Sequence, residues 1–134
     1  MLKFTLTLAA GLIAATAAFA ADPVEGTWRT VPDDNGNFGD IKVAPCGARL
    51  CGVLIKSYDP AGKTMESPNV GKKIIWDMVP QGGGAYGEGM VWSPDRDKTY
   101  ASKMQLNGKS LAIKGCVLGG LICRDGGVWS RVSN

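Results

Sequence analysis

After the first twenty residues, short stretches of alternating hydrophobic and polar residues are separated by clusters of Gly, Pro, Asn and Asp. In one stretch Ile41 and Val43 alternate with Asp40 and Lys42. Alternation with a period of two is typical of β-strands that bury one face. No window after residue 20 has sustained helical periodicity. The pattern therefore predicts an all-β fold.

The alternation and the turn residues define eight strands. They are residues 26–30, 38–44, 50–57, 73–78, 86–92, 99–106, 110–116 and 124–132. Every connection is short except residues 58–70, and Asn107-Gly108 is a strong hairpin signal. Eight strands joined in order by short turns predict a small up-and-down antiparallel barrel, which leaves no free sheet edge. A β-sandwich is the alternative, but its Greek-key connections would require longer crossovers.

The N-terminal residues have the features of a secretory signal. Lys3 precedes an apolar run rich in Ala and Thr, and the run ends in Ala18-Phe19-Ala20. This order of cation, apolar run and small-residue motif is typical of a cleaved signal peptide rather than a membrane anchor. We expect residues 1–20 to be the signal peptide and residues 21–134 to form a single barrel domain in the periplasm or outside the cell. We expect no stable membrane insertion of the mature chain.

Charge and composition limit the chemistry. The formal net charge is +3, the cations are scattered, and the chain contains no His. A basic stripe is absent from the sequence, so we expect no nucleic-acid partner. Without His, and with the cysteines oxidised, the usual sets of catalytic or metal-binding residues are incomplete. Asp95 and Asp97 are interpreted as part of a charged turn. We predict no enzyme, no cofactor and no metal site.

The four cysteines, Cys46, Cys51, Cys116 and Cys123, all lie after the signal peptide, where disulfides are expected. Four cysteines allow three pairings. In an up-and-down barrel the first two lie at one end and the last two at the other, about 20 Å away along a strand. Disulfide-bonded Cα atoms lie within about 7 Å of each other. The barrel therefore predicts Cys46–Cys51 and Cys116–Cys123.

The alternation also predicts which side chains face the barrel interior. Ile74, Trp76 and Met78 share one face of their strand, and Tyr100 and Met104 share one face of theirs. We predict that a ligand cavity is lined by Trp76, Met78, Tyr100 and Met104, although a filled core would use the same side chains. The inward face of residues 86–92 stays open, because Gly87 and Gly89 have no side chain to judge. Glu88 faces the interior in one of these arrangements and solvent in the other.

Two motifs near the ends of the mature chain resemble the closure of lipocalin-type barrels. They are Gly26-Thr27-Trp28 and Trp129-Ser130-Arg131. In lipocalins a Trp on the first strand plugs one end, and an Arg on the last strand lies across it. The resemblance implies that Trp28 and Arg131 close the barrel, and that the opposite rim, with the long loop 58–70, is the mouth. A cation over an indole ring is favourable by about 0.5 to 2 kcal/mol.

A longer series of motifs resembles an exported bacterial family, domain of unknown function 2147. The series comprises Gly26-Thr27-Trp28, Lys73-Ile74-Ile75-Trp76, Gly89-Met90-Val91-Trp92-Ser93-Pro94, Lys98-Thr99-Tyr100, Leu111-Ala112-Ile113-Lys114-Gly115 and Trp129-Ser130-Arg131. The resemblance implies a small lipocalin-like barrel. It departs at residues 92–100, where the family often has Tyr-Asp-Pro followed by Asp-Gly-Lys-Thr-Tyr. It implies no established activity.

Three functions are compatible with this sequence. The first is an exported lipocalin-like protein that holds a small, mostly apolar molecule in its barrel. The second is a structural or interaction protein of the envelope, with a filled barrel that docks a protein partner the sequence does not identify. The third, an enzyme that uses inward-facing carboxylates, is the least favoured because the catalytic set is missing.

Overall fold

The computed structural model describes residue 11 and residues 21–134. The predicted signal peptide, residues 1–20, lies outside the described residues apart from residue 11. The strands are β1 (Gly26–Arg29), β2 (Phe38–Cys46), β3 (Arg49–Tyr58), β4 (Thr64–Met65), β5 (Lys73–Gly82), β6 (Ala85–Ser93), β7 (Lys98–Asn107), β8 (Ser110–Val117) and β9 (Ile122–Ser133). The prediction of an all-β chain is confirmed.

The strands form one closed antiparallel barrel. Each long strand pairs with its neighbour in the chain, β9 pairs with β1, and β2 pairs with both β1 and β3. Eight strands therefore close the cylinder, which confirms the predicted up-and-down barrel. The two-residue strand β4 is an addition within the long loop, where it pairs only with β3. Closure leaves the eight main strands without an unpaired edge.

Two bulges reverse the face that a strand turns inward. Asp77 in β5 and Glu88 in β6 both have positive φ, 56° and 60°. The pairing of β6 with β7 shifts register between Tyr86 and Gly89, and a bulge of this kind adds a residue to one strand. Tyr86 is therefore buried on one side of Glu88, whereas Gly89 faces the interior on the other, and Glu88 itself is exposed. In residues 86–92, Tyr86 therefore faces inward as in one of the two arrangements considered. Glu88 faces solvent as in the other arrangement.

The closed end of the barrel is filled by side chains. Trp28 is fully buried, and its indole Nε1 donates a hydrogen bond of 2.8 Å to the carbonyl of Val24, which is also fully buried. The guanidinium carbon of Arg131 lies 4.3 Å from the centre of the Trp28 ring. Arg131 also donates to the carbonyls of Pro23 and Glu25. The segment before β1 is thus tied beneath the barrel, together with Trp28 and Arg131.

Both predicted disulfides are confirmed. Cys46 and Cys51 join the ends of β2 and β3, with a Cα–Cα distance of 5.7 Å. Cys116 and Cys123 are direct partners across β8 and β9, with a Cα–Cα distance of 4.0 Å. The two bridges lie at opposite ends of the barrel, because alternate turns of a meander share a rim. Paired cysteines are consistent with a protein of an oxidising compartment.

The buried phenol of Tyr86 should make the fold sensitive to alkali. Burial, and then its hydrogen bond to Asp22, raise the pKa of Tyr86 well above its ordinary value. A raised pKa stabilises the folded state fully below the unfolded value of about 10, and this contribution is lost as the pH rises further. We expect the free energy of unfolding, measured in urea, to fall above about pH 10.

The matched variant is Tyr86→Phe, which keeps the ring and removes the ionisable group. It should cost about 1 kcal/mol near neutral pH through the lost hydrogen bond, and its alkaline decline should be shallower. Some decline should remain, because the Asp40 carboxylate also raises the pKa of Tyr58. Identical pH profiles for the variant and the wild type would refute the role assigned to Tyr86.

Candidate functional site

A row of directly paired residues climbs around the inside of the barrel. It runs from Val43 to Gly52, Ile75, Val91 and Tyr100. Residues directly opposite each other in adjacent strands face the same side of a sheet, and strands in a barrel are tilted against its axis. The row therefore rises from the closed end to the mouth.

Exposure increases along this row. Val43 and Ile75 are fully buried, whereas Val91 and Tyr100 are only partly buried. Tyr100 is two residues from the start of β7, at the rim that carries the long loop. Solvent therefore reaches the inward-facing side chains Val91 and Tyr100 on the β6–β7 side of the mouth. It does not reach Val43 and Ile75, which lie deeper in the barrel.

Small residues form the barrel wall beside Tyr100. Gly89, Ser102 and Gly115 are paired in a second inward-facing row. The Ser102 hydroxyl donates to the Lys114 carbonyl at 2.8 Å, so it is already satisfied. A Cβ on Gly115 would lie 3.5 Å from the Cβ of Tyr100, which is an ordinary contact. The Tyr100 side chain therefore rests against the wall where β8 has no side chain.

The β1–β2 loop, residues 30–37, extends over the mouth, and we name it the strap. On one side Gly36 is close to Pro60, since a Cβ on Gly36 would lie 3.1 Å from the Pro60 Cγ. On the other side the backbone of Asp34 lies beside the Asp95 carboxylate of the β6–β7 turn and contributes to lowering the pKa of that carboxylate. Loops from two opposite sides of the rim are joined in this way.

The Asp95 carboxylate is held in its ionised form. The Ser93 hydroxyl, 2.6 Å away, is the main cause that lowers its pKa, and the backbone amides of Asp95 and Asp34 contribute. Asp97 in the same turn accepts a hydrogen bond of 3.0 Å from the Trp92 indole. The two carboxylates are therefore used within the turn and at its contact with the strap.

The structure places the four predicted lining residues in three different environments. Tyr100 faces the mouth interior. Met78 and Met104 are 0% and 3% exposed and belong to the hydrophobic core, so they fill the barrel and leave no lumen at their level. A Cβ on Gly89 would collide with the Met78 sulfur, so Met78 occupies the space that this glycine leaves.

The prediction for Trp76 needs correction. The bulge at Asp77 lets both Ile75 and Met78 face inward, so Trp76 between them turns to the outer wall. There Trp76 and Trp92 line an open groove of 890 Å³, with Lys72 and Cys51 among its other lining residues. The Lys72 amine lies 5.2 Å from the centre of the Trp92 ring. Three consecutive hydrophobic residues, Ile74 to Trp76, are the sequence signal that alternation fails here.

A polar cluster on the outer wall was not predicted. Asp40 is 5% exposed although it lies on the outer face, because Arg29 and Tyr58 cover it. Arg29 Nε is 3.0 Å from its carboxylate, and the Tyr58 hydroxyl donates to it at 2.7 Å. The Tyr58 ring stacks on Phe38 with centroids 4.9 Å apart. Every partner is satisfied within the cluster, so it joins β1, β2 and β3 and offers no vacant binding group.

Among residues 11 and 21–134, no group of three or more His, Cys, Asp or Glu side chains could hold a metal ion. In the same part of the chain, no helix is long and apolar enough to span a bilayer.

Comparison with known proteins identifies the family. The family described as "Uncharacterized protein conserved in bacteria (DUF2147)" matches residues 26–131. The chain belongs to this family. The stretch matched starts at the first residue of β1 and ends at Arg131, so it includes β1–β8 and β9 up to its last two residues. The resemblance found in the sequence motifs is confirmed.

A solved structure supports the fold of this DUF2147 protein. Protein HP1028 from the human pathogen Helicobacter pylori, described as belonging to the lipocalin family, matches with a TM-score of 0.66. The match covers 86% of each chain at 15% sequence identity. At that identity the likeness shows the fold alone, which is a lipocalin-like barrel. No curated protein matches the sequence.

Proposed function

We propose that this chain is an exported lipocalin-like binding protein that holds a small, mostly apolar molecule in the mouth half of its barrel. The observation that carries the proposal is the row that climbs from buried Ile75 to partly buried Val91 and Tyr100. An eight-stranded barrel is just wide enough to be filled by side chains or to hold one small ligand. Met78 and Met104 fill the lower half, so the proposed site lies above them.

The lining favours an apolar molecule with little polarity of its own. Val91 and the Tyr100 ring offer apolar surface, and the Ser102 hydroxyl is occupied by the Lys114 carbonyl. Arg124 pairs directly with Gly115, so it belongs to the same inward-facing row near the rim. It has no ion-pair partner among the described residues. Arg124 is exposed, so it offers a cation at the rim to a ligand with an anionic or hydrogen-bond-accepting end.

The strap controls entry in this proposal. It contacts the rest of the rim where Gly36 lies beside Pro60 and where the backbone of Asp34 lies beside Asp95. The strap is held by few contacts, and these contacts lie at the surface. Local opening of the strap would therefore cost little free energy. The proposal assigns no chemical reaction to the chain.

The second candidate is an envelope protein that docks a protein partner on its outer wall. The observation that favours it is the groove with the partly buried Trp76 and Trp92, since tryptophan is enriched at the centres of protein interfaces. A filled lower barrel is compatible with both candidates. The two candidates predict different residues to matter, namely Tyr100 for the ligand and Trp76 for the partner.

Native mass spectrometry of protein purified from the exporting cell without unfolding tests the choice. We expect a retained mass of a few hundred daltons, and we expect Tyr100→Ala to lose most of it. Trp76→Ala is the matched control, because it removes an aromatic ring from the outer wall and should retain the bound mass. A bare wild-type chain, or a bound mass lost only in Trp76→Ala, would contradict the proposal.

A further inference from the structure

The hydrophobic side chains that the barrel leaves exposed are concentrated at the mouth. Ten large hydrophobic side chains are exposed in the described part of the chain, and eight of them lie on or beside the mouth loops. The other two, Val128 and Val132, lie along β9. A patch of exposed apolar side chains on a folded domain usually marks a contact with something outside the domain.

The most exposed members lie on one turn. We name residues Val117–Ile122, which join β8 to β9, the hairpin tip. Leu118 and Leu121 are 69% and 87% exposed. Gly119 and Gly120 form the apex with positive φ, and no atom lies within 4 Å of a Cβ placed on either. The chain itself therefore packs nothing against the apex, and the two leucines project into solvent.

The hairpin tip is held rigid before it meets any partner. The Cys116–Cys123 disulfide closes its base, and Val117 pairs with Ile122 just beyond the bridge. The backbone amide of Leu121 donates to the carbonyl of Leu118 at 3.3 Å. A preorganised loop loses little conformational entropy when it binds. The leucines are thus fixed in the exposed position, and hydrophobic collapse onto the barrel does not hide them.

On one side of the hairpin tip, β7 and β8 carry Lys and no Asp or Glu, whereas β9 on the other side carries both Arg124 and Asp125, the direct partner of Lys114. From Lys98 to Arg124 the chain contains five Lys or Arg residues and no Asp or Glu. Lys103 and Lys114 are direct partners on the outer wall of β7 and β8, and both are exposed. Exposed leucines next to the lysines of β7 and β8 are complementary to a surface that has an anionic outer layer and an apolar interior.

We propose that the hairpin tip docks the protein on a bilayer that contains anionic phospholipid. Leu118 and Leu121 enter the boundary between headgroups and acyl chains, while the cations of β7 and β8 face the headgroups. A convex tip suits a fluid bilayer, which deforms around a side chain, whereas a protein partner would need a matching pocket. Docking is peripheral and reversible. It requires no ligand in the barrel, and it brings the mouth to a source of apolar molecules.

Co-sedimentation with large unilamellar vesicles tests the proposal. We expect the wild-type protein to bind vesicles of phosphatidylethanolamine with phosphatidylglycerol. Burial of one leucine changes a partition coefficient by about tenfold, so the double variant Leu118→Ser with Leu121→Ser should bind about 100-fold more weakly. The matched control is Val128→Ser with Val132→Ser, which removes two exposed hydrophobic side chains from β9 and should bind as the wild type does.

Two further measurements separate the competing explanations. Lys103→Glu should weaken binding to the anionic vesicles, and it should leave binding to pure phosphatidylcholine unchanged. Thermal unfolding should show that the tip variant is as stable as the wild type, because the substituted side chains are exposed. Equal vesicle binding by the wild type and the tip variant would overturn the proposal. So would wild-type self-association in the absence of lipid that is lost in the tip variant, since a second copy would then cover the tip.

Discussion

Trp28→Ala should destabilise the protein by about 4 kcal/mol, measured by urea unfolding at neutral pH. The side chain is fully buried, its Nε1 is bonded to the Val24 carbonyl, and its ring lies beneath Arg131. Truncation leaves a cavity, an unpaired carbonyl and a cation without its aromatic partner. A loss of this size is a large share of the total stability of about 5 to 15 kcal/mol that is typical of a single domain.

Two variants provide the comparison for Trp28→Ala. Trp28→Phe keeps most of the apolar volume and loses the indole hydrogen bond, so it should cost about 1 to 2 kcal/mol. Trp76→Ala removes the same side chain from the outer wall and should cost about 1 kcal/mol or less, because only a partly buried side chain is lost. Equal costs for Trp28→Ala and Trp76→Ala would show that the closed end does not depend on the buried indole.

Gly52→Val should destabilise the barrel by about 3 kcal/mol. A Cβ on Gly52 would lie 2.7 Å from both the Ile41 Cγ2 and the Ile75 Cγ1. Both isoleucines are fully buried, and β-branched side chains have few alternative rotamers. Neither can move aside, so the added methyl groups must push β3 away from its neighbours. Urea unfolding of the purified variant measures the loss.

The control for Gly52 is another inward-facing glycine on the same barrel. Gly115→Ala places a Cβ in ordinary contact with Tyr100, and it should change stability by about 0.5 kcal/mol or less. Ile75→Val should partly rescue Gly52→Ala, because it removes a methyl group from the collision. A barrel that tolerates valine at Gly52 as well as alanine at Gly115 would have a hollow interior where we describe a filled one.

The topology could be predicted because each strand and turn carries its own signal. Alternation of residues such as Ile41 and Val43 marks strands, and Asn107-Gly108 marks a hairpin. Once the meander is closed, its geometry determines which cysteines can meet. The two disulfides therefore followed from the order of turns, with no information about side-chain contacts.

The site was predicted less well, because it depends on which residues share a face after a bulge. Asp77 and Glu88 adopt positive φ. The hydrophobic run before Asp77 and the glycines on either side of Glu88 signal that alternation fails there, but they do not determine which face turns inward. Because β5 has one extra residue at Asp77, Trp76 lies on the outer wall and not in the predicted cavity. Tyr100 lies on the inner face, and β7 has no bulge before Leu106 that would change its direction. The position of the strap over the mouth depends on its contact with the β6–β7 turn, where Asp34 lies beside Asp95. That contact could not be predicted, because the two loops are distant in sequence.

We propose that the lower barrel is solid and that an apolar molecule binds at its mouth. Amide chemical shifts of the labelled protein, recorded while the neutral probe N-phenyl-1-naphthylamine is added, test it most directly. We predict saturable shifts that cluster at Val31, Val91, Tyr100 and Gly115, with little change at Trp28 and Leu111. Shifts confined to the outer wall around Trp76 and Trp92, or no saturable shifts, would contradict the claim.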